Sequence, residues 1–340
     1  MNAMTRPASG PDSTPAAGLR SIPALLARNA AQMGGRPAYR EKEFGIWQSW
    51  TWAEAQAEIR ALALGFLALG LERGDHVAII GRNRPAHYWA MVAAQMCGAI
   101  PVPLYQDAVA SEMAYVLGHS GARFVVCGDQ EQVDKVIEAE ESQHTVDRII
   151  YTDKRGMRKY DHSRMTSLAD VQAQGRAARS RLEAELDARI AELDYDSTCV
   201  MLYTSGTTGR SKGAMLSHAN LLFGGNSSAR MREMTSADVI LGVLPMTHVF
   251  GLTSMMIASM AAGAQLWLFP RFSAGAVVDA LQAGVSPVVV VAMGVVTGTF
   301  GHRRGARVTH AKALACRARR KQRAAGGAIQ AGVADDGGLV

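Results

Sequence analysis

Between Tyr203 and Gly213 the chain runs Tyr-Thr-Ser-Gly-Thr-Thr-Gly-Arg-Ser-Lys-Gly, directly after the apolar stretch Cys199-Val200-Met201-Leu202. Gly206, Gly209 and Gly213 let a backbone turn tightly and bring its N–H groups up to a ligand. Thr204, Ser205, Thr207 and Thr208 add hydroxyl donors, and Lys212 adds a point positive charge. That chemistry suits a triphosphate. Gly, Ser and Thr also fill surface loops that do nothing, but such loops rarely follow a buried-strand run and close with Lys-Gly. A P-loop of the kinase or GTPase kind is excluded, because its G-x-x-x-x-G-K-[ST] pattern counted from Gly206 needs glycine at 211, where serine stands.

His248 is a second group able to do chemistry. It follows an apolar run and Pro245, a place where loops carry function; a core histidine satisfied by a backbone carbonyl is the plainer alternative. Cys97, Cys127, Cys199 and Cys316 stand far apart, with no CxxC pair and no histidine at ligand spacing. That argues against a disulfide framework or a structural zinc. Three of the four sit in apolar surroundings and are expected to be buried thiols.

Extended through Ala214-Met215-Leu216-Ser217-His218-Ala219-Asn220-Leu221, the glycine-rich loop resembles the signature of the AMP-binding, adenylate-forming superfamily, with Ser211 where the common form has proline. Gly98-Ala99-Ile100-Pro101-Val102-Pro103-Leu104-Tyr105 and Ile149-Ile150-Tyr151-Thr152-Asp153 are similar to bacterial long-chain fatty-acid–CoA ligases in particular. Pro245-Met246-Thr247-His248-Val249-Phe250-Gly251 is similar to a second family motif. The resemblance runs from about Ser21 to about Gly284. It implies an α/β fold, the acyl-CoA synthetase-like N-terminal domain of adenylate-forming enzymes, built of layered βαβ subdomains and incomplete at the C-terminus.

The same resemblance implies ATP-dependent activation of a long-chain fatty acid to an acyl-adenylate, and its transfer to CoA. On that basis Lys212 and Thr204 are expected to be catalytic. Thr204, Ser205, Gly206, Thr207, Thr208, Gly209, Lys212 and Gly213 are expected to hold the nucleotide, and His248, Phe250 and Gly251 to border the acyl chain. Mg²⁺ is expected to sit among phosphate oxygens and water, without a protein metal site. The family's later motifs, which carry a Glu for the metal, an Asp for the ribose, a hinge and a C-terminal lysine, are not recognisable after Gly284. Little or no acyl-CoA is therefore expected from this polypeptide. The alternative is a non-catalytic module that holds nucleotide or acyl chains, with a basic tail for an acidic partner.

These groups need elements to position them. Thr51-Trp52-Ala53-Glu54 has capping-box spacing and predicts a helix to about Leu71. Strands are predicted at His76–Ile80, Ile100–Leu104, Phe124–Cys127 and Arg148–Tyr151, with helices at Pro85–Cys97 and Ser111–Leu117. That alternation argues for βαβ units and parallel sheets. The polar stretch 154–195 predicts a loop around Arg155–His162, then a solvated helix from Ser180 to Leu193. Beyond the loop come a helix at Ala219–Arg232, a strand at Val239–Leu244, a helix at Leu252–Ala261, a strand at Gln265–Leu268 and a helix at Ala274–Gln282. Met255, Met256 and Met260 are expected to be core packing.

The 340 residues are 48% hydrophobic and 19% charged, an ordinary globular balance. No apolar run reaches the roughly 20 residues of a membrane-spanning helix, and the cytoplasm is the expected location. Residues 301–340 hold nine Lys or Arg and two Asp, a balance of +7, against 27 basic and 28 acidic groups, −1, in the rest. The tail has no Phe, Trp or Tyr for base stacking, so no specific nucleic-acid partner is expected. The expected organisation is a disordered leader at 1–20, a partial AMP-binding domain at 21–295 with subdomains 21–195 and 196–295, and a basic tail at 296–340. That tail is expected to be out of frame or disordered, because the resemblance stops where composition turns to Arg, Ala and Gly.

Overall fold

The Ala24 N–H donates to the Ser21 hydroxyl at 3.3 Å and caps helix α1, Ile22–Met33. The structure, a computed structural model, describes residues 19–204, 210–271, 273, 275 and 288–289. Strands β1, Pro37–Glu43, and β2, Ile46–Thr51, form a hairpin. The expected capping box then starts α2, Trp52–Ala68: Glu54 N–H donates to Thr51 Oγ1 at 3.2 Å, and Thr51 N–H to Glu54 Oε2 at 2.8 Å.

Regular alternation follows. It runs β3 His76–Ile80, α3 Pro85–Met96, β4 Ile100–Leu104, α4 Ala110–Ser120, β5 Ala122–Cys127, α5 Gln130–Gln143, β6 Arg148–Tyr151, β7 Met165–Ser167, α6 Leu168–Ala177 and α7 Arg179–Ala191. The five strands make one wholly parallel sheet in the order β4-β3-β5-β6-β7. Its apolar runs do not alternate with polar residues because both faces are buried. Val77 and Ile79 enter one core with α2 and α3, while Ala78 and Ile80 enter the other with Met113, Leu117 and Val133.

Next come β8 Thr198–Thr204, β9 Lys212–Ser217, α8 His218–Met231, β10 Val239–Gly242, a helical turn α9 Val249–Gly251, a π-helical segment Leu252–Ile257, α10 Ala258–Ala262, β11 Gln265–Leu268 and β12 Val288–Val289. The second sheet has the order β12-β10-β11-β1-β2. It is parallel except for β2, and Tyr39 of β1 lies opposite Leu266 of β11. The first two strands of the chain therefore complete a sheet whose other strands come from residues 239–289. Among the described residues no helix is long and apolar enough to cross a membrane.

The main correction falls on the polar stretch 154–195. Its expected solvated helix is α7, but β7 and α6 precede it, between the predicted loop and that helix, where no element was predicted. Leu168, Val171, Gln172 and Gly175 form a narrow buried face on α6, which the surrounding Arg and Ala mask. At the crossing with α2 the helices touch through glycine: a Cβ on Gly175 would lie 1.9 Å from Ala61 O, and one on Gly65 2.2 Å from Val171 O. The predicted single helix at Leu252–Ala261 opens as a π-helix before α10, a form that concentrates at functional sites. Met255, Met256 and Met260 are fully buried, as expected for core. Cys97, Cys127 and Cys199 are buried free thiols whose pKa burial pushes up. Cys316 and most of the predicted helix Ala274–Gln282 lie outside the described residues.

Candidate nucleotide and acyl site

The glycine-rich loop joins two antiparallel strands, β8 and β9. Cys199, Val200 and Leu202 anchor β8 in the core, and buried Gln95 of α3 donates to the Cys199 carbonyl at 2.8 Å. The strand carries its polar end out to solvent, where exposed Thr204 pairs across the ladder with exposed Lys212. Tyr203 faces Gly213 one step inside. The fold thus brings Thr204, Lys212 and Gly213 together at the mouth of the hairpin. Ser205, Gly206, Thr207, Thr208 and Gly209 lie outside the described residues.

β9 leads straight into α8 through a second capping box, with Asn220 N–H donating to Ser217 Oγ and Ser217 N–H to Asn220 Oδ1. The next residue, His218, is buried and its Nδ1 accepts from Ile22 N–H at 3.2 Å, tying the hairpin's exit to the start of α1. His87, in the first turn of α3, is also buried and donates from Nδ1 to the Arg82 carbonyl at 2.7 Å. Burial pushes both imidazoles down to about 4. Both are neutral in the fold and become cationic more readily when unfolded, so the stability they confer is full above about pH 6.5. It is lost as pH falls towards 4; urea midpoints that stay flat from pH 7 to 4.5 would contradict this.

His248 stands on an exposed loop and caps α9. Its Nδ1 accepts from Phe250 N–H at 3.1 Å, so the neutral ring carries its proton on Nε2 and offers a donor there. Phe250 is 48% exposed beside it. Gly251 closes the turn where nothing larger fits, because a Cβ would lie 2.2 Å from Pro245 O. One buried residue fixes the loop from outside: Asn83, after β3, donates to Leu244 O at 2.6 Å and accepts from Met246 N–H at 3.2 Å. Asn83→Ala leaves two buried backbone groups unpaired, at a cost of roughly 1–3 kcal/mol each. Its expected result is a lowered unfolding midpoint together with faster proteolysis between 243 and 251, measured by mass spectrometry.

The three residues of the second motif share one loop, and no hydrogen bond joins it to the hairpin among the described residues. Asn83 carries no motif signal in a single sequence. Tyr115 and His119, which touch the hairpin, could have been suspected as an i,i+4 aromatic pair on one helix face.

A wholly parallel sheet buried on both faces, a second sheet closed by β1 and β2, and a separate hydroxyl and lysine hairpin define the layered α/β architecture of adenylate-forming acyl-CoA ligase N-terminal domains. The model for AMP-binding enzymes matches residues 26–320, past the point near Gly284 where the motif reading stopped. The chain belongs to the AMP-binding enzyme family. It is 32% identical over 218 residues to the long-chain-fatty-acid–CoA ligase FadD15 of Mycobacterium bovis, over 63% of this chain and 34% of that protein. It is 27% identical over 234 residues to the long-chain-fatty-acid–CoA ligase ACSBG2 of Xenopus laevis, over 67% of this chain and 31% of that protein. The inhibitor-bound N-terminal domain of FACL13 from Mycobacterium tuberculosis matches with a TM-score of 0.64 at 27% identity, covering 78% of this chain and 61% of that chain. ATP-bound MatB from Rhodopseudomonas palustris matches at 0.60 and 27%, covering 76% and 47%. The chain spans about a third of the length of the curated relatives it matches.

Proposed function

We propose that this chain binds ATP at the β8–β9 hairpin and belongs to a ligase that activates a long-chain fatty acid. The carboxylate attacks the α-phosphorus of ATP, pyrophosphate leaves, and the thiol of CoA displaces AMP to give the thioester. The observation that carries the reading is the ladder pair Thr204 and Lys212, which sets a hydroxyl beside an ammonium at the mouth of a hairpin in an AMP-binding family chain. Lys212 screens charge that develops on the phosphates. The exposed hydroxyl of Thr204 suits a hydrogen bond to the phosphates, among whose oxygens and water Mg²⁺ would sit. His248 offers its Nε2 donor to the acyl carboxylate, with Phe250 and Gly251 bordering the chain.

The two-subdomain division of 21–295 belongs to the same proposal, with the strands at 37–51 exchanged into the later subdomain, as does a cytoplasmic location. The test is calorimetric titration of the purified chain with ATP, followed by measurement of pyrophosphate release with palmitate. Saturable ATP binding and weak acid-dependent pyrophosphate release are expected, with little or no thioester. A chain that binds no ATP overturns the reading, and one that binds ATP without pyrophosphate release reduces it to a nucleotide-binding module.

A further inference from the structure

Helix α4 packs on the first sheet, yet two of its side chains reach the phosphate hairpin. The Tyr115 hydroxyl donates to the Ser211 carbonyl at 2.9 Å, and the Arg210 guanidinium lies 5.5 Å from the centre of the Tyr115 ring. One turn further on, the His119 ring stacks against Tyr115 with centroids 5.5 Å apart. It meets the Tyr203 ring edge-on at 5.7 Å, with its Nδ1 2.6 Å from the Tyr203 hydroxyl. Burial pushes the Tyr203 phenol up to about 12, so it stays protonated and able to donate. One helix face thus grips both arms of the hairpin: Tyr203 on the strand going in, and Arg210 with Ser211 on the segment coming out.

We propose that Tyr115 and His119 are positioning residues which hold Arg210-Ser211-Lys212 against β8, so that the ammonium of Lys212 stands ready for the outer phosphates of ATP. The proposal rests on the nucleotide reading above. A long lysine on an untethered arm would have to be ordered at each binding event, and fixing the backbone one residue before it removes that cost in advance. The phenol of Tyr115 does so twice, by a hydrogen bond to the Ser211 carbonyl and by a cation–π seat for Arg210.

Tyr115→Phe keeps the ring and deletes only the hydroxyl. Calorimetric titration of the full chain with ATP and, separately, with AMP reads its effect. ATP affinity is expected to fall roughly 3- to 10-fold, the weight of one hydrogen bond, with AMP affinity unchanged because AMP lacks the outer phosphates. His119→Phe, which keeps a ring but removes the acceptor for Tyr203, is expected to act in the same direction, and His119→Asn, which restores an acceptor, to recover affinity. If both nucleotides weaken equally in Tyr115→Phe, the residue is merely structural and the proposal fails. If neither weakens while wild type binds ATP, the proposal fails and the nucleotide reading stands. If wild type binds no ATP, both fall.

Discussion

Lys212→Ala lowers ATP affinity by roughly 10- to 100-fold, the worth of one hydrogen bond to a charged group, while the unfolding midpoint stays where it was. Both halves follow from the position of Lys212. The side chain is exposed at the first residue of β9, and its backbone, which the substitution keeps, makes the ladder pair with Thr204. Exposed replacements of this kind stay within about 0.5 kcal/mol in stability. Lys212→Arg is expected to recover part of the affinity, since it keeps the charge but not the compact ammonium. Titration calorimetry beside a urea melt decides it: unchanged ATP binding in Lys212→Ala would remove the hairpin from the nucleotide site.

Gly175→Ala has the larger effect on the fold. The added methyl would lie 1.9 Å from Ala61 O and 2.6 Å from Gly65 N. Both are backbone atoms inside a helix, so no side chain can swing away, and α6 must lift off α2. Overpacking of this sort costs about 1–3 kcal/mol and sometimes more, which at the usual 2–4 °C per kcal/mol for a domain of this size means a drop of about 2–12 °C in Tm. Gly35→Ala is the matched control, because a Cβ there meets nothing within 4 Å. Scanning calorimetry of the two variants should separate them; equal midpoints would mean the crossing is looser than described.

That crossing also marks the limit of what the sequence makes legible. Strands with strong apolar runs stood out: the predicted bounds of His76–Ile80, Ile100–Leu104, Arg148–Tyr151 and Gln265–Leu268 coincide with β3, β4, β6 and β11. They do so because a strand buried on both faces reads as an unbroken apolar run, whose polar or glycine neighbours mark where it stops. α5 and α6 were missed for the opposite reason. Each buries a thin stripe, Val133 with Val136 and Ala139 in one and Leu168 with Val171 in the other, and shows solvent mostly polar residues. The glycine- and hydroxyl-rich segment stood out by its chemistry, but β9, which makes it part of a hairpin, was not predicted. What holds it was not legible: Asn83, Tyr115 and His119 act through tertiary contacts spanning 161, 96 and 84 residues of sequence separation, which no local pattern records.

Such separations also govern how the chain emerges from the ribosome. Tyr39 lies opposite Leu266 in the second sheet, so the β1–β2 hairpin leaves the exit tunnel long before the strand it docks on. At roughly 5–20 residues per second that interval is about 10–45 seconds. Throughout it the bonding edge of β1 is bare, while the first sheet gains all its strands by Ser167. The nascent polypeptide therefore offers a holdase a defined client: an early hairpin awaiting a partner that translation supplies much later.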